Sequence, residues 1–302
     1  MILLPQSLPD LEKELRKLIR EPGTIERFTD LLFPGVSGYP EVKLGLLCLM
    51  ANQYDTPTER ERIHTLLFGK PGTGKTALMF PLEQDWGAKY ISMDPSAASL
   101  KSDGRKKDRG SMIFNRYDGS IVCIDDFELM TGMNTLRDVM ERGRYSDVKG
   151  GENEEYLARC RLVCATNDLR KIPSPIVSRF DHVFKFEYPT LDQSMDIVRQ
   201  ILYDNENDIN YLPILCHYIY LVQTHEPKTV QKKKIEEKFK AYFEKYGIEG
   251  AGKEGRWINS IARTAKALAR LNLGDIGPAE IEKALRIKNK SDEIIKKNVT
   301  VS

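Results

Sequence analysis

The sequence predicts an α/β protein with a mostly parallel sheet followed by an α-helical region, and three observations carry that prediction. Residues 64–79, HTLLFGKPGTGKTALM, set an apolar strand, a glycine loop and a helix start in immediate succession. Further apolar strand candidates, among them IVCI at 121–124, alternate with helical patterns, as a sheet covered on both faces requires. Beyond Thr190 only helical periodicity is found.

Taken in order, residues 10–20 place Leu11, Leu15, Leu18 and Ile19 on one helical face, with Asp10 as the N-cap after Pro9. Helical stretches follow at 24–33, stopping at Pro34-Gly35, and at 40–53, which opens on Pro40. A linker over 54–62 leads into the strand Leu66, Leu67, Phe68. After the glycine loop, AKYISM (88–93) and IVCI read as strands. Between them Arg105, Lys106, Lys107 and Arg109 crowd around Gly104 and Gly110; from composition alone this is a solvated turn. A short helix is expected over 136–142. Residues 145–148 and 156–165 can pair as strands across Gly150-Gly151, making Lys149 part of a hairpin tip. RLVCATN ends a strand at Asn167, 173–180 is a helix, and 182–186 is the last strand. Helices are expected at 191–203, 212–223 and 232–246, the last with Ile235, Phe239, Phe243 and Tyr246 on one side and a solvated lysine–glutamate face on the other. GIEGAGKEG is a flexible connection, 257–272 and 278–287 form a final helical pair, and the tail SDEIIKKNVTVS is expected to fray. The expected segments are 1–62, 63–190, 191–290 and 291–302.

Composition bounds the reading. Of 302 residues, 41% are hydrophobic and 30% charged, which suits a soluble protein with one larger and one smaller part. The start MILLPQSLPD has no basic n-region and no cleavage site, so the chain is expected to be cytoplasmic or otherwise intracellular, without a membrane partner. Cys48, Cys123, Cys160, Cys164 and Cys216 are expected as buried reduced thiols, and no metal cluster is expected among cysteines and four histidines. A net charge of +2 neither implies nor opposes nucleic acid.

The chemistry sits first in the glycine loop. Gly69, Lys70, Pro71, Gly72, Thr73, Gly74, Lys75 and Thr76 fill the pattern GxxxxGK[ST], in which glycines turn backbone N–H groups onto a nucleotide's phosphates. Lys75 would reach the β- and γ-phosphates, Thr76 would offer its hydroxyl to Mg²⁺, and the following helix would present its positive end. ATP and Mg²⁺ are therefore the expected cofactors. An apolar strand that ends in acid delivers a carboxylate beside such a loop, so Asp125 fits as the magnesium partner. Asp126 would polarise the attacking water, with Asn167 orienting it from the neighbouring strand. Each of these, taken alone, is also an ordinary turn residue.

The order of signals resembles a family. LFPGVSGYPEVKLGLLCLM, GKPGTGKT, SAASL, GSIVCIDDFELM, VMERGRYSDVKGG, VCATND, SPIVSRFDHVF and GRWINSIARTAKALARLNLGDIGPAEIEKAL are similar to the ATPase module of the minichromosome maintenance (MCM) replicative DNA helicases, over about residues 30 to 287. The resemblance implies an AAA+ αβα sandwich with a C-terminal helical lid. It implies that Asn167 is the first sensor, Arg179 an arginine finger supplied to the neighbouring subunit, and Arg256 the second sensor on the lid. It also implies a ring, usually a hexamer, with sequence-independent contacts to single-stranded or forked DNA from Lys149 on the pre-sensor hairpin and from the basic segment near Gly104. Arg179 and Arg256 by themselves read as surface cations. The sequence departs from the family in having Asp126 where glutamate stands, which would place water differently and could slow or abolish hydrolysis. It also has only about thirty residues before the resemblance begins and no length for a winged helix after 290. The function expected is an ATP-driven helicase or translocase in DNA replication. Its rivals are a protein-remodelling ATPase of the magnesium chelatase or MoxR type, and a nucleotide-binding assembly protein without effective hydrolysis.

Overall fold

A computed structural model describes residues 8–33, 36–52, 55, 60–91, 113–130, 133–149, 152–203, 211–246 and 255–299 of the chain. Five strands, β1 (Thr65–Gly69), β2 (Lys89–Ile91), β3 (Ile121–Ile124), β6 (Arg161–Thr166) and β7 (His182–Phe186), form one sheet in the order β2-β3-β6-β1-β7. All four pairings are parallel. Every residue of β3 and β6 is buried, which explains why these runs are apolar throughout rather than alternating. The register sets Phe68 of β1 beside Thr166 of β6, and Ile124 of β3 beside Cys164. The glycine loop, Asp125 and Asn167 therefore all leave the sheet at its carboxyl edge, where open α/β sheets bind ligands.

A separate antiparallel ribbon pairs β4 (Arg144–Lys149) with β5 (Glu152–Leu157). The single strand expected over 156–165 is in fact two. The chain breaks at 158–160 because Ala158 N donates to Gly143 O, while the Arg159 backbone N–H and guanidinium both engage Asp118 at 2.6 Å. Only after this turn does the chain enter the central sheet as β6.

The helices are α1 (Leu8–Leu18), α2 (Thr24–Leu32), α3 (Pro40–Ala51), α4 (Met79–Trp86), α5 (Ile113–Arg116), α6 (Met133–Arg142), α7 (Ser174–Val177), α8 (Leu191–Tyr203), α9 (Leu212–Thr224), α10 (Lys232–Tyr246), α11 (Gly255–Leu271) and α12 (Pro278–Val299). Three expectations are corrected. Helix α1 already runs from Leu8, so Asp10 lies in its first turn and is not the N-cap. Cys216 is exposed, unlike the four other cysteines. The tail does not fray before 299: α12 continues because Ile294, Ile295 and Val299 pack on the core under the sheet and Ser291 Oγ accepts from Val183 N at 2.9 Å.

Contacts group the chain into two compact units, residues 53–194 with 288–302, and residues 1–52 with 195–287. In the second unit the first helices belong with the later ones. Helix α3 is buried almost all round, and Asn52 just after it donates to Arg263 O at 3.0 Å and accepts from Arg270 at 2.9 Å. Phe28 of α2 packs on Tyr218 of α9 with ring centroids 4.7 Å apart. Trp257 on α11 closes an aromatic group with Tyr242 and Phe243 of α10, the side of that helix expected to face inward.

Within the sheet-bearing unit, residues 60–64 are fastened by buried charge. Arg62, with no exposed side-chain surface, donates to Asp55 Oδ2 at 2.6 Å, Val139 O at 2.9 Å and Cys160 O at 3.1 Å. Arg60 grips both oxygens of Asp181, whose Oδ2 also accepts from His64 N. His64 Nδ1 accepts from Leu162 N, so its Nε2 carries the proton toward Met140 O. Burial, then Arg60 and Arg62, hold the imidazole pKa well below its usual value, which keeps this tautomer neutral. Among the described residues no helix is long and apolar enough to cross a membrane.

Candidate nucleotide-binding site

The loop after β1 owes its shape to glycine at three places. Gly72 and Gly74 adopt φ of 78° and 91°, the left-handed region where a side chain would be strained. Gly69 leaves the sheet so close to β7 that an added Cβ would lie 2.5 Å from Phe186 O. Thr73 Oγ1 braces the turn by donating to Lys70 O at 2.8 Å. The chain then makes a 3-10 turn, Thr76–Leu78, before α4, with Pro81 in the first turn of α4, where its missing N–H costs little.

Lys75 is buried, and its ammonium donates to Gly69 O at 2.7 Å, Lys70 O at 2.9 Å and Asn167 Oδ1 at 3.0 Å. Burial lowers its pKa, and the carboxylates of Asp125, Glu128 and Asp126 oppose that shift in this order of strength. The expected magnesium pair is in direct contact: Thr76 Oγ1 donates to Asp125 Oδ2 at 2.8 Å. The same oxygen accepts from Tyr90 OH at 2.9 Å, while Asp125 Oδ1 accepts from Asp126 N at 2.9 Å. Burial and the Asp125 bond raise the Tyr90 phenol pKa, so it stays a donor. A hydroxyl and a carboxylate side by side are the hard oxygen ligands that Mg²⁺ takes, and the buried ammonium and glycine-bent loop suit phosphate.

Asp126 is exposed and stands at φ 46°, an uncommon conformation for a residue with a side chain. Its Oδ1 accepts from Asn167 Nδ2 at 3.2 Å, so the Asn167 amide is oriented by an ammonium on its oxygen and a carboxylate on its nitrogen. The Asn167 backbone N–H donates to Glu128 Oε1 at 3.1 Å. An open cavity of about 670 Å³ adjoins the loop, lined among others by Phe68, Lys70, Thr73, Asn167, Arg170 and Lys297.

The structure thus brings Lys75, Thr76, Asp125, Asp126 and Asn167 together. Arg179 lies elsewhere, its side chain buried and paired with Glu141 at 2.7 Å, and NH1 donating to Pro175 O. Arg256 belongs to the other unit, exposed in the first turn of α11. Lys149 is the last residue of β4, opposite Glu152 in register. Arg105, Lys106, Lys107 and Arg109 lie outside the described residues. Two site residues were missed from sequence, Tyr90 and Glu128. The first was hidden in an ordinary strand; the second had a signal, a third acid two residues beyond the Asp pair.

Fold and site together define an AAA+ P-loop module: a parallel sheet with the GxxxxGK[ST] loop after one strand, the acidic pair after a second and an asparagine after a third. The chain belongs to the MCM family, whose P-loop domain matches residues 11–203. It is similar to an uncharacterized MCM-type protein of Methanocaldococcus jannaschii, 23% identical over 88% of this chain and 45% of that protein. It is also similar to the DNA replication licensing factor mcm-6 of Caenorhabditis briggsae, 24% identical over 94% of this chain and 40% of the relative. A third relative is the DNA replication licensing factor mcm7 of Xenopus tropicalis, 24% identical over 93% and 45%. The chain spans less than half the length of each of these relatives.

Proposed function

We propose that the chain binds Mg²⁺–ATP at the loop after β1 and hydrolyses it as a subunit of a ring that moves along DNA.

 Subunits of this chain assemble in a closed ring, and hydrolysis drives the ring along single-stranded or forked DNA without regard to base sequence. The single observation that carries the nucleotide part is the meeting of Lys75, Asn167 and Asp126 in one hydrogen-bonded set beside the Thr76–Asp125 pair. Bound nucleotide would supply the phosphoanhydride bond, and Mg²⁺ would neutralise its oxygens. Lys75 holds a positive charge where the terminal phosphates would lie. Thr76 and Asp125 would hold the metal, while Asp126 would accept a water's proton and Asn167 fixes the direction of that carboxylate. The DNA part is supported by the family and by its relatives mcm-6 and mcm7, both DNA replication licensing factors. Within the chain, the β4–β5 ribbon ending at Lys149 is the element we assign to the nucleic acid, together with the basic segment at 105–109.

Arg179 and Arg256 are assigned to the same chemistry. For Arg179 to serve a neighbouring subunit, its guanidinium must exchange the carboxylate of Glu141 for a phosphate, a trade between two anions. Mixing Lys75→Ala and Arg179→Ala subunits tests this. Each variant alone is expected to be inactive, whereas a one-to-one mixture regains about a quarter of wild-type turnover, because that share of randomly formed head-to-tail interfaces holds one intact half from each. A mixture as inactive as its parts overturns the shared site. Turnover that rises with protein concentration and with single-stranded DNA supports the ring and its track. Tight nucleotide binding without turnover would leave the assembly protein, and restoration by Asp126→Glu would trace that loss to the short carboxylate.

Tyr90→Phe offers a milder test of the metal pair. Losing one hydrogen bond to a charged group is expected to weaken the Mg²⁺-dependent part of nucleotide affinity about fivefold, leaving metal-free binding unchanged. Titration with and without EDTA checks it, and equal losses in both conditions would count against Asp125 as the metal's partner.

A further inference from the structure

The 3-10 turn Phe127–Leu129 that follows the acidic pair is anchored by Phe127, fully buried and edge-on to Phe180 at 5.8 Å between ring centroids. That anchor aims the next side chain, Glu128, back across the end of β6. Its Oε1 accepts the Asn167 backbone N–H at 3.1 Å. Its Oε2 is buried and has no hydrogen-bond partner among the described residues. With Oε2 unpartnered, the bond from the Asn167 N–H is what this side chain offers the site.

Asn167 is thereby held at three atoms: its backbone N–H by Glu128, its Oδ1 by Lys75 and its Nδ2 by Asp126. The last two bonds are made by the side chain and can rearrange when a terminal phosphate arrives. The first fixes the main chain from which the side chain reaches. We propose that Glu128 is a positioning residue that sets the preference for nucleoside triphosphate over diphosphate, acting through Asn167. This rests on the nucleotide reading of the site. On that reading a diphosphate would rest within the glycine loop and make no demand on Asn167, whose orientation would matter to the terminal phosphate.

The test compares Glu128→Ala and Glu128→Gln with the wild type. A glutamine keeps an oxygen for the Asn167 N–H and removes the charge; an alanine removes both. Affinities for ADP and for a non-hydrolysable ATP analogue are measured by titration, and exchange of the Asn167 amide proton is followed by NMR on nucleotide-free protein labelled at asparagine. In Glu128→Ala the ratio of the two affinities is expected to fall about tenfold, with ADP binding unchanged and Asn167 exchange at least about tenfold faster. Glu128→Gln is expected to retain both properties. An unchanged ratio in Glu128→Ala overturns the inference, as does an equal loss for both nucleotides, which would mark a general structural role. Equal losses in the alanine and glutamine variants overturn it too, since charge and not the hydrogen bond would then be responsible. A wild type that binds neither nucleotide overturns the reading of the site and this inference with it, an outcome distinct from binding with an indifferent Glu128.

Discussion

Lys75→Ala is expected to weaken Mg²⁺–ATP binding by about 100-fold or more and to abolish turnover, while the protein stays folded. The ammonium is the one cation that the loop itself surrounds, held by the carbonyls of Gly69 and Lys70 and by Asn167. Phosphate arriving there meets a charge already stripped of most of its water, and an interaction in such surroundings is stronger than at an open surface. Of the three oxygens now bound to Lys75, those of Lys70 and Asn167 are only partly buried, so alanine leaves them to water rather than orphaned. Calorimetric titration with ATP and ADP measures the loss, and circular dichroism checks the fold. Affinity near that of the wild type would refute the assignment of the loop.

Arg62→Ala is expected to destabilise the sheet-bearing unit by about 3–5 kcal/mol, the usual cost of removing one partner of a buried ion pair. The guanidinium ties Asp55 to the end of α6 through Val139 O and to the start of β6 through Cys160 O. Gly143 makes room for it: a Cβ there would lie 2.9 Å from Arg62 Nη2. Without the arginine, two carbonyls and one carboxylate oxygen of Asp55 lose the guanidinium donor, and the cavity is too large for alanine. A fall in Tm of roughly 10 °C is the expected reading in a thermal melt. A shift of a degree or two would mean that water or a neighbouring side chain replaces the lost bonds at little cost.

The sheet was legible because its central strands are buried on both faces. IVCI matches β3 to the residue as a continuous apolar run, and the alternating HVFKF matches the edge strand β7. The glycine loop was legible for a different reason: its residues are constrained by backbone geometry, and a pattern fixed by geometry shows in sequence. Other features depended on distant partners. The break at 158–160 needs Asp118, some forty residues earlier, and no local signal announces it. The persistence of α12 to Val299 needs the core under the sheet, so its charged, lysine-rich surface reads locally as a fraying tail. In the site, Lys75, Thr76, Asp125, Asp126 and Asn167 were found from sequence, and the structure adds how they hold one another. Glu128 escaped because its importance lies in a bond to a main-chain N–H, which leaves no mark on the residue at the other end.

The interleaving of the two units has a consequence for how the molecule is made. Helices α1 to α3 leave the ribosome before the sheet-bearing stretch, yet Asn52 finds its partner at Arg263, 211 positions later. The sheet-bearing stretch 53–194 is synthesised in between and can bury its strands while the opening helices still wait. The apolar, nearly all-round surface of α3 is thus uncovered until the later helices that bury it are made. That interval makes α3 a natural point of engagement for a holding chaperone during synthesis.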